Sequence, residues 1–454
     1  MTRSTPPGER VPSGTLDLPP VEDEAQGESR SRPHRPELLV ALATAVVAAV
    51  VAWLRLPPVA RQTMWAEDGA VFVPVASASS VTTSAFEPYG GYVHLLPRLL
   101  AEAVVSTLPP EAWAVGVSVL SCGVAGLVAA GVLLCARPLV PQLPARLALA
   151  AVTVLAPLLP IEVLGNLANV HWLLLWLMPW LLIADARGPV HRWGLGVVTF
   201  VVTASEVQAA VFAPLLLWRR HGRGVLPRMV GLLAGTALQL HAVLTTSRPT
   251  NSGEVATARG VVHGWVVNAV LPWFLGTGPM LDRATGVAGT VVALLALGLG
   301  AACVVLVVRH GSRPAAVAAV LAPAAGLLLW ATAVVLNTPP LLEGGTFDLL
   351  RYGYLASLLA VVPVVLAVTA VPWTRTWRVA TALLLVPLVS GTLAGMLPPL
   401  QREPSTERAD GPLWAPQVRP AVRACLDEAP PPTVVLRSAP GGWGGNVTCE
   451  ALID

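Results

Sequence analysis

The chain is 454 residues long and 54% hydrophobic, with 12% charged residues, a net charge of +3 and a mean hydropathy of +0.67. A soluble globular domain carries about 25% charged residues, so this composition excludes an ordinary soluble enzyme and points to a polytopic helical membrane protein. No lysine occurs, and so small a net charge gives no footing for a nucleic-acid partner.

Residues 1–37 are rich in Pro, Ser, Gly, Arg and acids, lack hydrophobic periodicity, and read as a disordered cytoplasmic tail. No apolar core near the start marks a cleavable signal peptide, so the first span is expected to stay as an anchor. Apolar length then predicts eleven spans, at roughly 38–56, 112–135, 145–160, 170–184, 194–205, 207–218, 228–244, 287–308, 315–336, 352–371 and 379–397. The fifth and sixth are short, and that pair reads equally well as a tight helical hairpin or one re-entrant unit. The expected fold class is all-α, with about 11 transmembrane helices in a body over residues 38–398.

If the N-terminus is cytoplasmic, the short inner loops hold Arg137 and Arg146, Arg187 and Arg192, Arg219, Arg220, Arg223 and Arg228, Arg309 and Arg313, then Arg375 and Arg378. Asp185 is the only acid among them. That asymmetry fits the positive-inside rule and a multi-pass plasma-membrane protein. The odd span count puts the segment 399–454 on the extracytoplasmic side. Cys122, Cys135 and Cys303 fall in apolar spans and read as small buried hydrophobes. Cys425 and Cys449 fall in the outer C-terminal segment, where an oxidising compartment favours a disulfide over two unpaired thiols. Thr433–Leu436 reads as a short strand beside them.

The polar residues collect in stretches far apart in sequence that share the outer face. They are Glu67 and Asp68; Glu87, Tyr89, Tyr92, His94 and Arg98; Glu162, Asn166, Asn169 and His171; Ser205, Glu206 and Gln208; His263; and the run Arg351-Tyr352-Gly353-Tyr354. Any wet face carries such residues singly. Their recurrence beside aromatics and next to spans suggests one site assembled from several loops. The first outer loop, residues 57–111, is too long for a simple connector. Within it His94, Arg98 and Glu102 recur every four residues, which predicts a helix with one polar face lying in the membrane interface, or an Arg–Glu pair on a surface. No tight ligand spacing occurs, so no metal or other cofactor is assigned, a divalent cation staying an open alternative.

Several of these stretches resemble the GT-C superfamily of membrane glycosyltransferases, and especially actinobacterial integral membrane proteins of that type. The likeness is carried by Trp65-Ala66-Glu67-Asp68-Gly69-Ala70-Val71-Phe72, Tyr89-Gly90-Gly91-Tyr92, Leu96-Pro97-Arg98, Gly165-Asn166-Leu167-Ala168-Asn169-Val170-His171-Trp172 and Arg351-Tyr352. The resemblance implies a polyprenyl-phosphate-linked sugar as donor, a glycan or lipid acceptor on the extracytoplasmic side, and contact with membrane lipid. It implies Asp68 as general base with Glu67 as substitute. Arg351 (with Tyr352) and Arg98 would take the lipid phosphate, helped by His94, His171 or His263. Asn166 and Asn169 would bond sugar hydroxyls, or else cap a helix end. The rival reading is a non-enzymatic transporter or flippase that binds the same lipid-linked saccharide without breaking a bond.

Overall fold

The structure is a computed structural model that describes residues 35–186, 188–219, 224–246, 257–277, 286–337, 350–371, 408 and 410–453. The span expected at 379–397 and residues 1–34 of the expected tail lie outside them. The described chain is mostly helical, and five helices are long and apolar enough to cross a membrane.

The first, α1 (Arg35–Arg55), is an Ala-, Val- and Leu-rich run with Pro36 in its opening turn, where a missing N–H costs nothing. Then come α2 (Val73–Ala78), α3 (Val81–Phe86), α4 (Leu95–Thr107), α5 (Trp113–Cys135), α6 (Leu143–Leu155), α7 (Val170–Ile183) and α8 (Pro189–Ser205). A 3-10 helix over Val207–Arg219 carries Pro214 inside it. At ~2.0 Å rise per residue this short segment reaches about 26 Å, so the tighter helix recovers length that an α-helix would lack. After it run α9 (Val225–Thr245), α10 (Ala258–Trp265), α11 (Pro272–Leu275), α12 (Val287–His310), α13 (Arg313–Asn337) and α14 (Leu350–Ala370). α1 packs along α5, α8 along α9, and α14 against α13, α12 and α7. Some buried indoles inside this body find carbonyl or hydroxyl partners, as with Trp176 Nε1 on Thr153 Oγ1 at 2.9 Å and Trp273 Nε1 on Ser357 O at 3.1 Å, whereas Nε1 of Trp172 and of Trp180 has none among the described residues.

The two ends of the helical body carry different chemistry. At one end Glu37 pairs with Arg137 at 3.1 Å and Arg146 at 3.0 Å. At the same end Arg228 donates to the last carbonyls of α7, at Leu181, Leu182 and Ala184. The opposite end holds the start of α7, the end of α8, the start of α14 and the long loop between α1 and α5.

Two expectations change. The polar face of α4 does not lie on a surface: Arg98 and Glu102 are buried, while Leu99 and Ala103 are exposed. Its ion pair is with Glu87, 3.9 Å from Arg98, and not with Glu102. The all-α expectation also needs amending, because the C-terminal segment forms α15 (Ala415–Cys425), strands β1 (Thr433–Ser438) and β2 (Trp443–Thr448), and α16 (Cys449–Ile453). The strands pair antiparallel from Thr433↔Thr448 to Ser438↔Trp443. A Cys425–Cys449 disulfide ties the end of α15 to the start of α16. This small unit shares a core with the first loop, built from Met64, Trp65, Phe72, Trp113, Trp414, Val418, Leu436 and Val447. Cys122, Cys135 and Cys303 are buried free thiols.

Candidate functional site

Two segments form the floor of the polar end: residues 64–72, which hold the acid pair, and residues 162–169, which lead into α7. Gly165 takes φ +77°, a left-handed turn that suits glycine. Its carbonyl accepts from Ser118 Oγ at 3.2 Å and Arg408 Nη1 at 2.8 Å, and its N–H donates to Ser121 Oγ at 3.0 Å. Arg408 Nη2 donates to Leu164 O. Further along this loop, Asp68 accepts from the backbone N–H groups of Leu167 at 2.9 Å and Ala168 at 2.8 Å, one on each oxygen.

A wholly buried carboxylate and a wholly buried guanidinium thus hold one loop, the first by its N–H groups and the second by its carbonyls. Burial raises the Asp68 pKa to about 7, against the pull of the two amide bonds and of Arg408, with Glu67 pushing it further up. Burial lowers the Arg408 pKa to about 10, with Asp68 opposing. Nothing in the sequence marks Arg408, which falls among Arg402, Glu403, Glu407 and Asp410 in what reads as a solvated charged run.

Asn166 and Asn169 are spent on the same loop. Asn166 Nδ2 donates to Glu162 O at 2.6 Å, Asn169 Nδ2 donates to the same oxygen at 3.0 Å, and Asn166 Oδ1 accepts from Asn169 N at 2.8 Å. Their bonds lie within the loop itself, and Asn169, at the N-cap position of α7, makes no side-chain cap bond. The loop they brace delivers His171 into the first turn of α7. His171 Nδ1 lies 2.5 Å from the Glu206 carboxylate that follows α8, both side chains being buried.

A tight turn presents the third stretch. Tyr89 and Tyr92 exchange backbone hydrogen bonds across Gly90 and Gly91, both at positive φ. Gln239 on α9 then clasps Val93 by its backbone, accepting from the N–H at 2.9 Å and donating to the C=O at 3.0 Å. Ser205 Oγ accepts from Leu96 N at 2.9 Å. These contacts set the position of His94 and Arg98. The His94 ring lies 4.0 Å from Tyr92, 5.4 Å from Phe72 and, edge-on, 6.3 Å from His171, centroid to centroid.

Arg98 is 1% exposed, with its guanidinium carbon 5.3 Å from the centre of the Phe72 ring. Its Nε and Nη1 make no hydrogen bond among the described residues, Nη1 only facing Glu87 at 3.9 Å. Burial lowers its pKa, with Glu87 opposing.

The fourth stretch opens α14. Arg351 Nη1 lies 3.6 Å from Glu162, its Nη2 reaches the Tyr352 hydroxyl at 3.3 Å, and the Tyr352 ring meets Trp172 edge-on at 5.6 Å. Trp172 in turn lies 4.7 Å from His171. Glu67 shares the electrostatic neighbourhood of Arg351 and Tyr89, and burial followed by the Glu67 charge raises the Tyr89 pKa. One Glu67 oxygen, Oε2, is buried without a hydrogen-bond partner among the described residues.

The structure therefore gathers Glu67, His94, Arg98, His171, Arg351 and Tyr352 at one end of the body, with Glu162, Glu206 and Tyr89 among them. Asp68, Asn166 and Asn169 are bonded to backbone. His263 stands exposed on α10, with no hydrogen bond or ion pair to this group among the described residues. Among the described residues no three His, Cys, Asp or Glu side chains group as metal ligands. The chain matches no family model, no curated protein and no solved structure.

Proposed function

We propose that this chain is a GT-C-like membrane glycosyltransferase that moves a sugar from a polyprenyl-phosphate donor to an extracytoplasmic glycan or lipid acceptor. The observation that carries the reading is the pairing, in one aromatic-lined group, of a buried arginine with two unbonded nitrogens and a carboxylate with one unbonded oxygen. Glycosyl transfer from a phosphate needs both. An anion must be held while negative charge grows on it, and an acceptor hydroxyl must lose a proton as it attacks.

In this reading the acceptor oxygen forms a bond to the anomeric carbon. The bond from that carbon to the phosphate oxygen breaks, its electron pair leaves with the polyprenyl phosphate, and the hydroxyl proton passes to Glu67. Arg98 takes the phosphate; Arg351 is already shared with Glu162 and Tyr352 and orients Glu67. Asp68, first choice from the sequence, has both oxygens committed to amides, so the base role passes to its neighbour. Tyr92, Trp172 and Tyr352 supply ring faces for the sugar.

The membrane arrangement belongs to the same reading: eleven spans, N-terminus inside, C-terminus outside, and the acid-histidine end outward. Helices at ten of the eleven expected positions support it, as do Arg137, Arg146 and Arg228 at the other end. The test incubates purified protein in nanodiscs with polyprenyl-phosphate-linked hexoses and pentoses plus a cell-envelope glycan extract, and follows release of polyprenyl phosphate. Release that Glu67→Gln cuts by about a hundredfold or more supports the reading. Transbilayer movement of intact donor in liposomes, with no release, replaces it by the flippase.

A further inference from the structure

We infer that the disulfide-closed unit from α15 to α16 is a positioning clamp for the Glu67 segment, so that turnover depends on the oxidised Cys425–Cys449 pair. The inference rests on the reading of Glu67 given above.

On the N-terminal side of Glu67, Trp414 N donates to Gln62 O at 2.9 Å and Ala439 N donates to Met64 O at 3.0 Å. Trp65 and Ala439 form a parallel β-bridge there. On the C-terminal side, Gly445 of β2 lies flat on Gly69 and Ala70, where a Cβ would collide with the Gly69 carbonyl. A Cβ on Gly69 would in turn collide with Ser438 Oγ at the end of β1. The backbone that carries Glu67 is thus gripped before and after the residue. Trp414 also donates through Nε1 to Pro110 O at 2.9 Å, which ties the clamp to the start of α5.

The clamp itself has little to hold it together. A two-stranded hairpin with two short helices is far below the size at which a chain builds a sufficient core. Its buried residues are shared with the loop it grips, and its one covalent closure joins α15 to α16. Opening that bond releases α16 from α15, and with it the register of β2 over Gly69. A small thiol reductant of the dithiol class supplies two electrons and two protons. The S–S bond breaks, Cys425 and Cys449 become thiols, and the dithiol closes into its own cyclic disulfide; reoxidation reverses each change.

The test uses the full-length protein in nanodiscs, oxidised, reduced and reoxidised, with Gly445→Ala as a variant whose disulfide is intact. Amide exchange over residues 64–72 and 433–448 is measured beside polyprenyl-phosphate release. Reduction is expected to speed exchange over 64–72 about tenfold or more while α7 stays protected. Turnover should fall about a hundredfold with KM for the donor changed less than about twofold, and both should return on reoxidation. Gly445→Ala should move exchange and turnover the same way without any reductant.

Unchanged exchange over 64–72 once 433–448 has loosened, in the reduced protein or in Gly445→Ala, overturns the clamp. Reduction that unfolds the whole chain leaves Gly445→Ala to decide. Faster exchange over 64–72 in a protein without turnover in any state upholds the clamp and counts against the glycosyltransferase reading alone.

Discussion

Asp68→Asn should remove a pH dependence of stability that the wild-type chain carries between pH 5 and pH 8. Asp68 is wholly buried, and burial raises its pKa from 3.8 to about 7 in the folded protein. A raised carboxylate means that the native state keeps a proton the unfolded chain has already lost. The resulting stability is fully present below the unfolded value and is lost as pH rises through the folded one. From pH 5 to the folded value is about two units, each worth ~1.4 kcal/mol, so the wild type should lose about 3 kcal/mol by pH 8.

Asparagine in its place cannot ionise. It offers an N–H₂ where one backbone N–H now finds an acceptor, a penalty of about 1–3 kcal/mol that does not vary with pH. The difference in unfolding free energy between wild type and Asp68→Asn should therefore shrink by about 3 kcal/mol from pH 5 to pH 8. Taking the difference cancels the titration of groups that do not interact with Asp68. Denaturant unfolding in micelles, followed by tryptophan fluorescence, reads it directly. A difference that stays constant across this range, or grows with pH, would falsify the electrostatic account of Asp68.

Arg408→Met should destabilise the chain by about 3–5 kcal/mol, because it leaves the Leu164 carbonyl only the longer bond from Asn166 Nδ2 at 3.4 Å and Asp68 without a counter-charge; Arg408→Lys should rescue little, since a single ammonium lacks the fork that spans two carbonyls. Denaturant unfolding of the two variants checks both statements, and a full rescue by lysine would show that charge alone matters there. Gln239→Leu should cost about 1–3 kcal/mol by stranding the N–H and C=O of Val93 in a buried place, and hydrogen exchange at Val93 should rise with it.

The helical body was largely readable because long apolar runs admit few alternatives. α1, α5, α12, α13 and α14 follow the apolar windows within a few residues. Hydropathy could not show that the Val207–Arg219 segment tightens into a 3-10 helix, since proline and length alone do not separate that from a hairpin. The four-residue recurrence of His94, Arg98 and Glu102 showed a shared face but not its direction. Periodicity gives the angle between side chains, and what packs against α4 decides whether that face meets lipid or protein.

The same limit explains Asp68 and Glu67. Adjacent acids look alike in sequence, and only the amides of Leu167 and Ala168, about a hundred residues on, separate the bonded carboxylate from the available one. Arg408 was illegible for a similar reason: its partners are backbone carbonyls, which every sequence has. The disulfide was readable from topology, whereas the grip of β2 on Gly69 depends on two glycines whose meeting no local pattern announces.

The division of labour between the two acids is the central claim, and one comparison tests it. Polyprenyl-phosphate release by Glu67→Gln and by Asp68→Asn should be measured at pH 7 under saturating donor, each rate corrected for the folded fraction. The account predicts a fall of about a hundredfold or more for Glu67→Gln and less than about tenfold for Asp68→Asn. The reverse order, with Glu67→Gln near wild type and Asp68→Asn inactive though folded, would contradict it.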